Sequence, residues 1–487
     1  QWFSKIFIFY LELEIRQHRG ILPKGTLLLT VEDPQNHVGS GGATLNALLV
    51  AAEHLSAQAG YTVVSSDVLQ RARLLILHMG RDFLFDDCGR GFTVLPLEDP
   101  QECVESLTCN LDSLLDTLRR QLCPGSPPGV WICSTDMVLT LPTKPPIEWN
   151  MFSGALVISV PGTPSYAMNH GVYMAAENGL VRDIIYCGSE ERIQQCVMKD
   201  QKVPLVSGIV FLSSDTAERF LNTLVSPPLD GCTYQGLDSG AEPLEVSLFL
   251  DVLMSMAQDV CKEDFLGGSP AISNISRHPD KTRSARALLW RELHDLPLKM
   301  VYVPDGCYEY MTLSPRDHIK NLTKAAACGP PFSKIAHSFV THPLLVEDGS
   351  SVVNCQLDGE IYVGTGCVVQ NCHLEGPLFL GNGCILTGID QVAASELKGH
   401  KLTGIILQAH PIRVQKLPLT VYSILGTDDQ LQSISAGGSS TYLNIPWEEF
   451  FCRTGICEND LLGTRCTPRG HSLLSVPLFL YFTPLKS

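Results

Sequence analysis

Three short stretches of the sequence carry residues whose types and spacing could do chemistry. The first is Gly39-Ser40-Gly41-Gly42-Ala43-Thr44, which opens directly into an apolar helical pattern. Glycines let a backbone approach a phosphate closely, and a helix N-terminus offers N–H donors and the positive end of a dipole. No Lys follows the last glycine, so this is not a Walker loop, and the glycines lack the dinucleotide-binding spacing. A tight glycine turn with Thr44 near the helix cap explains the same residues. The second stretch is Ser134-Thr135-Asp136, where an apolar strand-like run ends. A carboxylate there could hold a divalent metal against nucleotide phosphates, or simply cap the turn that follows. The third is His170-Gly171, which could line a sugar phosphate or be a satisfied structural histidine.

The elements that would have to position these residues follow from periodicity. Leu27–Val31, Leu74–His78, Val130–Cys133, Ala155–Val160, Pro204–Leu212 and Val246–Leu250 read as strands. Thr44–His54 and Ala285–His294 read as helices. So does the segment bearing Leu107, Leu111, Leu114, Leu115, Leu118 and Leu122, whose spacings of three and four share one helix face. This alternation predicts an α/β domain. From Ser351 to Ile389 the pattern changes: Cys355-Gln356-Leu357-Asp358-Gly359 recurs as Cys372-His373-Leu374-Glu375-Gly376, and Gly364-Thr365-Gly366-Cys367 as Gly381-Asn382-Gly383-Cys384. Both repeats fall 17 residues apart, close to three edges of a parallel β-helix coil. A glycine-rich antiparallel meander is the alternative.

With 487 residues and 45% hydrophobic content, the chain can bury two or three cores. Its net charge of −16 argues against nucleic acid as a partner, because counterion release needs clustered Lys and Arg. The 18 cysteines include no C-x-x-C pair and lie in apolar runs, which predicts free thiols in a reducing, cytoplasmic compartment. The apolar opening from Gln1 to Tyr10 is too short to span a membrane, and the missing initiator Met reads as a fragment.

Taken together, the glycine stretch and six others resemble the fucose-1-phosphate guanylyltransferase and fucokinase family. The others are Leu75–Gly80, Ser134–Asp136, Asn169–Tyr173, Gly306–Tyr310, Val206–Phe211 and Thr441–Trp447. The resemblance runs from about Glu12 to Gly455 and is strongest to the amino-terminal region of the animal L-fucose kinases. It implies a nucleotidyltransferase-like, Rossmann-like α/β domain over residues 12–325, a left-handed parallel β-helix-like domain over 326–455, and an unassigned tail over 456–487. It further implies a nucleotide held by Gly39, Ser40, Gly41, Gly42, Thr44 and Arg90, Mg2+ on Asp136, and a sugar phosphate at His170 and Gly171. The implied partners are ATP or GTP and fucose or fucose 1-phosphate, with neither nucleic acid nor membrane.

Two departures from the family pattern bear on activity. Active guanylyltransferases of the family carry Gly-Gly, Ser and Arg, and then Gly-Lys, after the strand ending at His78. This chain keeps Gly80 alone, has Arg90 in place of the Lys, and adds Asp82, Asp86 and Asp87. Those carboxylates oppose a triphosphate unless cations intervene. The kinase half of the family needs a Gly-Leu-Ser-Ser-Ser string, which does not occur here. Three readings follow: a nucleotide or sugar-phosphate binding module of a fucokinase whose kinase domain is missing, a working guanylyltransferase, and a structural fragment without a ligand.

Overall fold

The computed structural model describes residues 5–34, 38–80, 83, 85–86, 89–97, 107–268, 279–323, 334–342, 344–414, 417–429 and 441–455. Asp82, Asp87 and the tail 456–487 lie outside them. The chain divides into two compact units, one of residues 3–80 and 111–309, the other of residues 81–110 and 310 onward. Residues 81–110, which fall within the sequence-derived first domain, belong here with the second unit.

The first unit is built on one sheet. Its strands are β1 (Arg73–His78), β2 (Gly129–Ser134), β4 (Ala155–Gly162), β5 (Gly171–Ala175), β6 (Val181–Tyr186), β7 (Val203–Ser213) and β8 (Leu298–Tyr302); β3 (Met137–Thr140) lies outside this sheet. The order along its main path is β1-β2-β7-β4-β8. β1 pairs parallel with β2, and β4 parallel with β8, while β7 runs antiparallel between β2 and β4.

Its three inner strands β2, β4 and β7 are buried almost throughout, which is why they read as apolar runs. Along β2, Val130 and Ile132 enter one core with Leu45, Leu48 and Leu49 of the helix α2 (Gly39–Gln58), which follows α1 (Lys5–His18) in the chain. Trp131 and Cys133 point into the opposite core, with Leu114, Leu118 and Leu122. The predicted leucine face is real from Leu111 to Leu122, where an α-helix over Asn110–Thr117 continues as a wider π turn over Leu118–Leu122, while Leu107 lies before the helix and is no part of it.

Two predicted strands are corrected. Leu27–Val31 forms no strand among the described residues, and Leu27 is 47% exposed. Val246–Leu250 crosses the head of α2 and then enters a π turn over Leu248–Leu253. Leu244, Val246 and Leu248 are buried in the first core, so the apolar run reported burial correctly and conformation wrongly. The helix expected from Thr44 begins at Gly39, which makes the glycines its first turn.

In the second unit the 17-residue repeat closes into three parallel ladders. Val352, Val369 and Leu386 stack in the first, Leu357 and Leu374 in the second, and Val363 and Leu380 in the third. The antiparallel meander is thereby excluded for this repeat. The stacked aliphatic residues fill one continuous core, joined by Cys355, Cys367, Cys372 and Cys384 as free buried thiols. Each rung also satisfies the next: Ser350 Oγ accepts the Cys367 N–H at 2.9 Å, and Cys367 Sγ accepts the Cys384 N–H at 3.4 Å. At one corner His337, Asn354, Asn371 and Gly388 all take positive φ, a conformation that glycine and asparagine tolerate best. The short helix Gln391–Leu397 interrupts the 17-residue step, and the first ladder ends in the hairpin Ile405–Val414 with Leu417–Gly426.

Candidate functional site

The parallel pairing of β1 and β2 sets His78 opposite Ser134 at the carboxyl ends of both strands, the edge where open α/β sheets place ligands. The turn after β2 is pinned there, since Thr135 gives both its backbone N–H and its hydroxyl to the His78 carbonyl, at 3.0 and 2.9 Å. That holds Asp136 in the bend between β2 and β3. Ser134 Oγ donates to one carboxylate oxygen of Asp136.

Two histidines flank this carboxylate closely enough to feel its charge. His78 Nε2 lies 2.9 Å from Thr44 Oγ1. Because the Thr44 hydroxyl donates to the Ser40 carbonyl at 2.8 Å, it must accept from His78, which fixes the proton on Nε2. Burial lowers the His78 pKa to about 4, with Asp136 acting in the opposite direction, so the ring is neutral near pH 7. His170 bonds the Val206 carbonyl through Nε2 at 3.0 Å and lies against the rings of Tyr166 and Tyr308. Burial lowers its pKa too, opposed by the Val206 bond and by Asp136.

The glycine turn has a clear structural occupation. Gly41 and Gly42 give their N–H groups to the Val246 carbonyl at 2.8 and 3.3 Å, while Val246 N donates to Val38 O and Leu248 N to Ser40 Oγ. A Cβ on Gly39, whose φ is +73°, would fall 2.3 Å from the Val246 oxygen; on Gly41 it would fall 2.9 Å from the Val246 side chain. The glycines thus allow the segment 244–248 to lie across the head of α2, with the Val246 carbonyl on its first N–H donors.

The first unit brings Gly39–Thr44, Asp136, His170 and Gly171 onto one framework. Arg90 belongs to the other unit, where it is buried, donates through Nε to the Met311 carbonyl at 2.7 Å and lies 4.9 Å from the centre of the Phe83 ring. Sequence reasoning missed His78 as a partner of Thr44. It also missed Gly208, whose positive φ on β7 places it where a Cβ would come within 3.0 Å of Ser134 Cβ. Its interruption of the apolar run Val206–Phe211 was the available signal.

As a metal site, Asp136 offers one carboxylate. No group of three or more His, Cys, Asp or Glu placed to hold a metal occurs among the described residues. This donor set suits Mg2+, which binds one or two carboxylates together with substrate phosphates and water, and does not suit a metal caged by protein alone.

Residues 66–484 match the family model of the fucose pyrophosphorylase domain. The chain belongs to the fucose pyrophosphorylase domain family. The matched span takes in β1, the Ser134–Asp136 turn, His170 and the three parallel ladders, and begins after the glycine turn of α2. No curated protein matches the chain. Among solved structures, the chain is similar to the mannose-1-phosphate geranyltransferase from Thermus thermophilus. The identity is 9%, over 72% of this chain and 95% of that one, with a TM-score of 0.28; a likeness that low carries no argument. No helix among the described residues is long and apolar enough to cross a membrane.

Proposed function

We propose that this fucose pyrophosphorylase domain transfers a nucleotidyl group to a sugar 1-phosphate, with fucose 1-phosphate and GTP as substrates and GDP-fucose and pyrophosphate as products. The observation that carries the reading is Asp136, held at the carboxyl ends of two parallel strands near two buried histidines whose pKa values burial lowers and the Asp136 charge raises. A phosphate oxygen of the sugar attacks the α-phosphorus of the nucleotide, the bond to the β-phosphate breaks, and pyrophosphate leaves. Mg2+ held by Asp136 would neutralise phosphate charge in that step. His170, anchored on Val206 and framed by Tyr166 and Tyr308, orients the sugar phosphate beside Gly171. His78 holds Thr44 and the first turn of α2 in place.

A second reading is favoured by the Val246 carbonyl on the Gly41 and Gly42 donors and by the lone Gly80. On it, the chain is the nucleotide or sugar-phosphate binding part of a cytoplasmic fucokinase whose phosphoryl-transfer domain lies elsewhere. Under either reading the ladders of the second unit wind left-handed, as the family resemblance implies.

The deciding experiment measures pyrophosphate release from GTP, or ATP, with fucose 1-phosphate and Mg2+, for the full chain and for Asp136→Ala. Release that the substitution abolishes supports transfer. No release, together with an Asp136-dependent rise in melting temperature on adding nucleotide, favours the binding reading. If neither release nor stabilisation is seen, both fail.

A further inference from the structure

The outer surface of the coil in the second unit carries two adjacent columns that follow the 17-residue step. Phe339, Gln356 and His373 stand in register on neighbouring strands, and Asp390 comes one step later. Beside them runs the positive-φ corner of His337, Asn354, Asn371 and Gly388. Members of both columns line a wide-open surface depression of about 520 Å³. The depression lies wholly within one unit and shares no residue with the site around Asp136.

We propose that this depression binds a neutral, unphosphorylated saccharide. Its lining contains no Lys or Arg among the described residues, and phosphate groups are ordinarily gripped by such cations or by clustered backbone N–H groups. What it does contain is a set of planar amides that both donate and accept. Asn354 Nδ2 donates to Asn371 Oδ1 at 2.7 Å, which turns the Asn371 amide hydrogens and the Asn354 carbonyl oxygen toward other partners. Gln356 Nε2 donates to Asp358 Oδ2 at 2.9 Å, and its own carbonyl oxygen is left to accept. Adjacent sugar hydroxyls, each a donor and an acceptor, match this alternation.

The aromatic partner is Phe339, 65% exposed at the end of its column. A large apolar ring held that far into water gains by covering one face. The C–H face of a pyranose is a suitable cover, because its hydroxyls then point sideways toward the amides. Neighbouring rungs of a ladder stand about 4.8 Å apart, so a single sugar ring resting on Phe339 reaches the Gln356 rung. A nucleotide or sugar phosphate would bring its charge to a lining whose fixed charge is the Asp390 carboxylate.

Saturation-transfer NMR on the full chain tests this, with free L-fucose and a panel of neutral hexoses at about 10 mM, well above the roughly 1 mM dissociation constant of a modest site. The expected result is transfer to the ring C–H protons of at least one neutral sugar. Phe339→Ala should weaken it at least tenfold without lowering the melting temperature. Gln356→Ala should weaken it as well, and Asp136→Ala should leave it intact. The proposal is overturned if no neutral sugar shows transfer, if Phe339→Ala leaves transfer unchanged, or if Asp136→Ala abolishes it, which would assign the binding to the other site.

Discussion

Thr44, in the first turns of α2, and His78, the last residue of β1, are joined by a 2.9 Å hydrogen bond whose direction is set by a third group, the Ser40 carbonyl. One helix head and one strand end are thereby locked by a neutral imidazole, next to the turn that presents Asp136. This link makes the framework of the candidate site sensitive to a single hydroxyl.

Thr44→Val keeps the shape of the side chain and removes that hydroxyl, leaving the His78 Nε2–H without its acceptor. A buried donor so abandoned costs about 1–3 kcal/mol. Urea denaturation should show a loss in that range for Thr44→Val and a much smaller one for Thr44→Ser. Equal losses would mean that the hydroxyl is immaterial.

Gly39→Ala tests the crossing of α2 by Val246. The residue has φ +73°, and its new Cβ would meet the Val246 oxygen at 2.3 Å. Left-handed backbone alone costs about 1–2 kcal/mol for an L-residue, and the clash adds to it. A drop of at least about 2 kcal/mol is expected. Gly60→Ala also has positive φ but meets nothing within 4 Å, so it should show the smaller, conformational part.

His318 lies in the second unit, stacked on Phe85 with ring centres 4.4 Å apart, and neither of its nitrogens has a hydrogen-bond partner among the described residues. Burial lowers its pKa to about 3. Between pH 6.5 and that value the unfolded chain takes up a proton that the folded chain refuses, so stability falls as pH falls. From pH 6.5 to 4.5 this one group removes about 2 kcal/mol. His318→Phe should flatten that limb of the stability profile, measured by denaturant midpoints across the pH range. An unchanged slope would show the ring to be protonated or hydrated in the native state.

Arg286 and Asp251 form an ion pair at 2.8 Å in the first unit, with side chains 7% and 8% exposed. Asp251 Oδ2 also accepts the Ser247 N–H at 2.7 Å, which ties the pair to the segment crossing α2. Removing one partner of such a buried pair typically costs about 3–5 kcal/mol, whereas replacing both with apolar residues costs less. Arg286→Met should therefore be more damaging than Arg286→Met combined with Asp251→Leu. The double variant should still lose part of its stability through the orphaned Ser247 N–H, and its melting temperature relative to the single variant is the readout.

Much of this was legible in the sequence, and for a definite reason. A strand buried on both faces must be apolar nearly throughout, so β2, β4 and β7 announced themselves as runs. A coil that stacks identical rungs must repeat, so the 17-residue step from Cys355 to Cys372 and from Cys367 to Cys384 disclosed the ladders. Glycine, Asp and His at element ends marked Gly39–Thr44, Asp136 and His170 as worth locating. Tertiary structure alone decided what those groups touch. An apolar run such as Val246–Leu250 says that it will be buried but not against what, and its placement over α2 set the partner of the glycine donors. The His78 to Thr44 link spans 34 residues. Local propensity acts over a few neighbours and cannot encode such a pairing, which exists only once helix and sheet have packed.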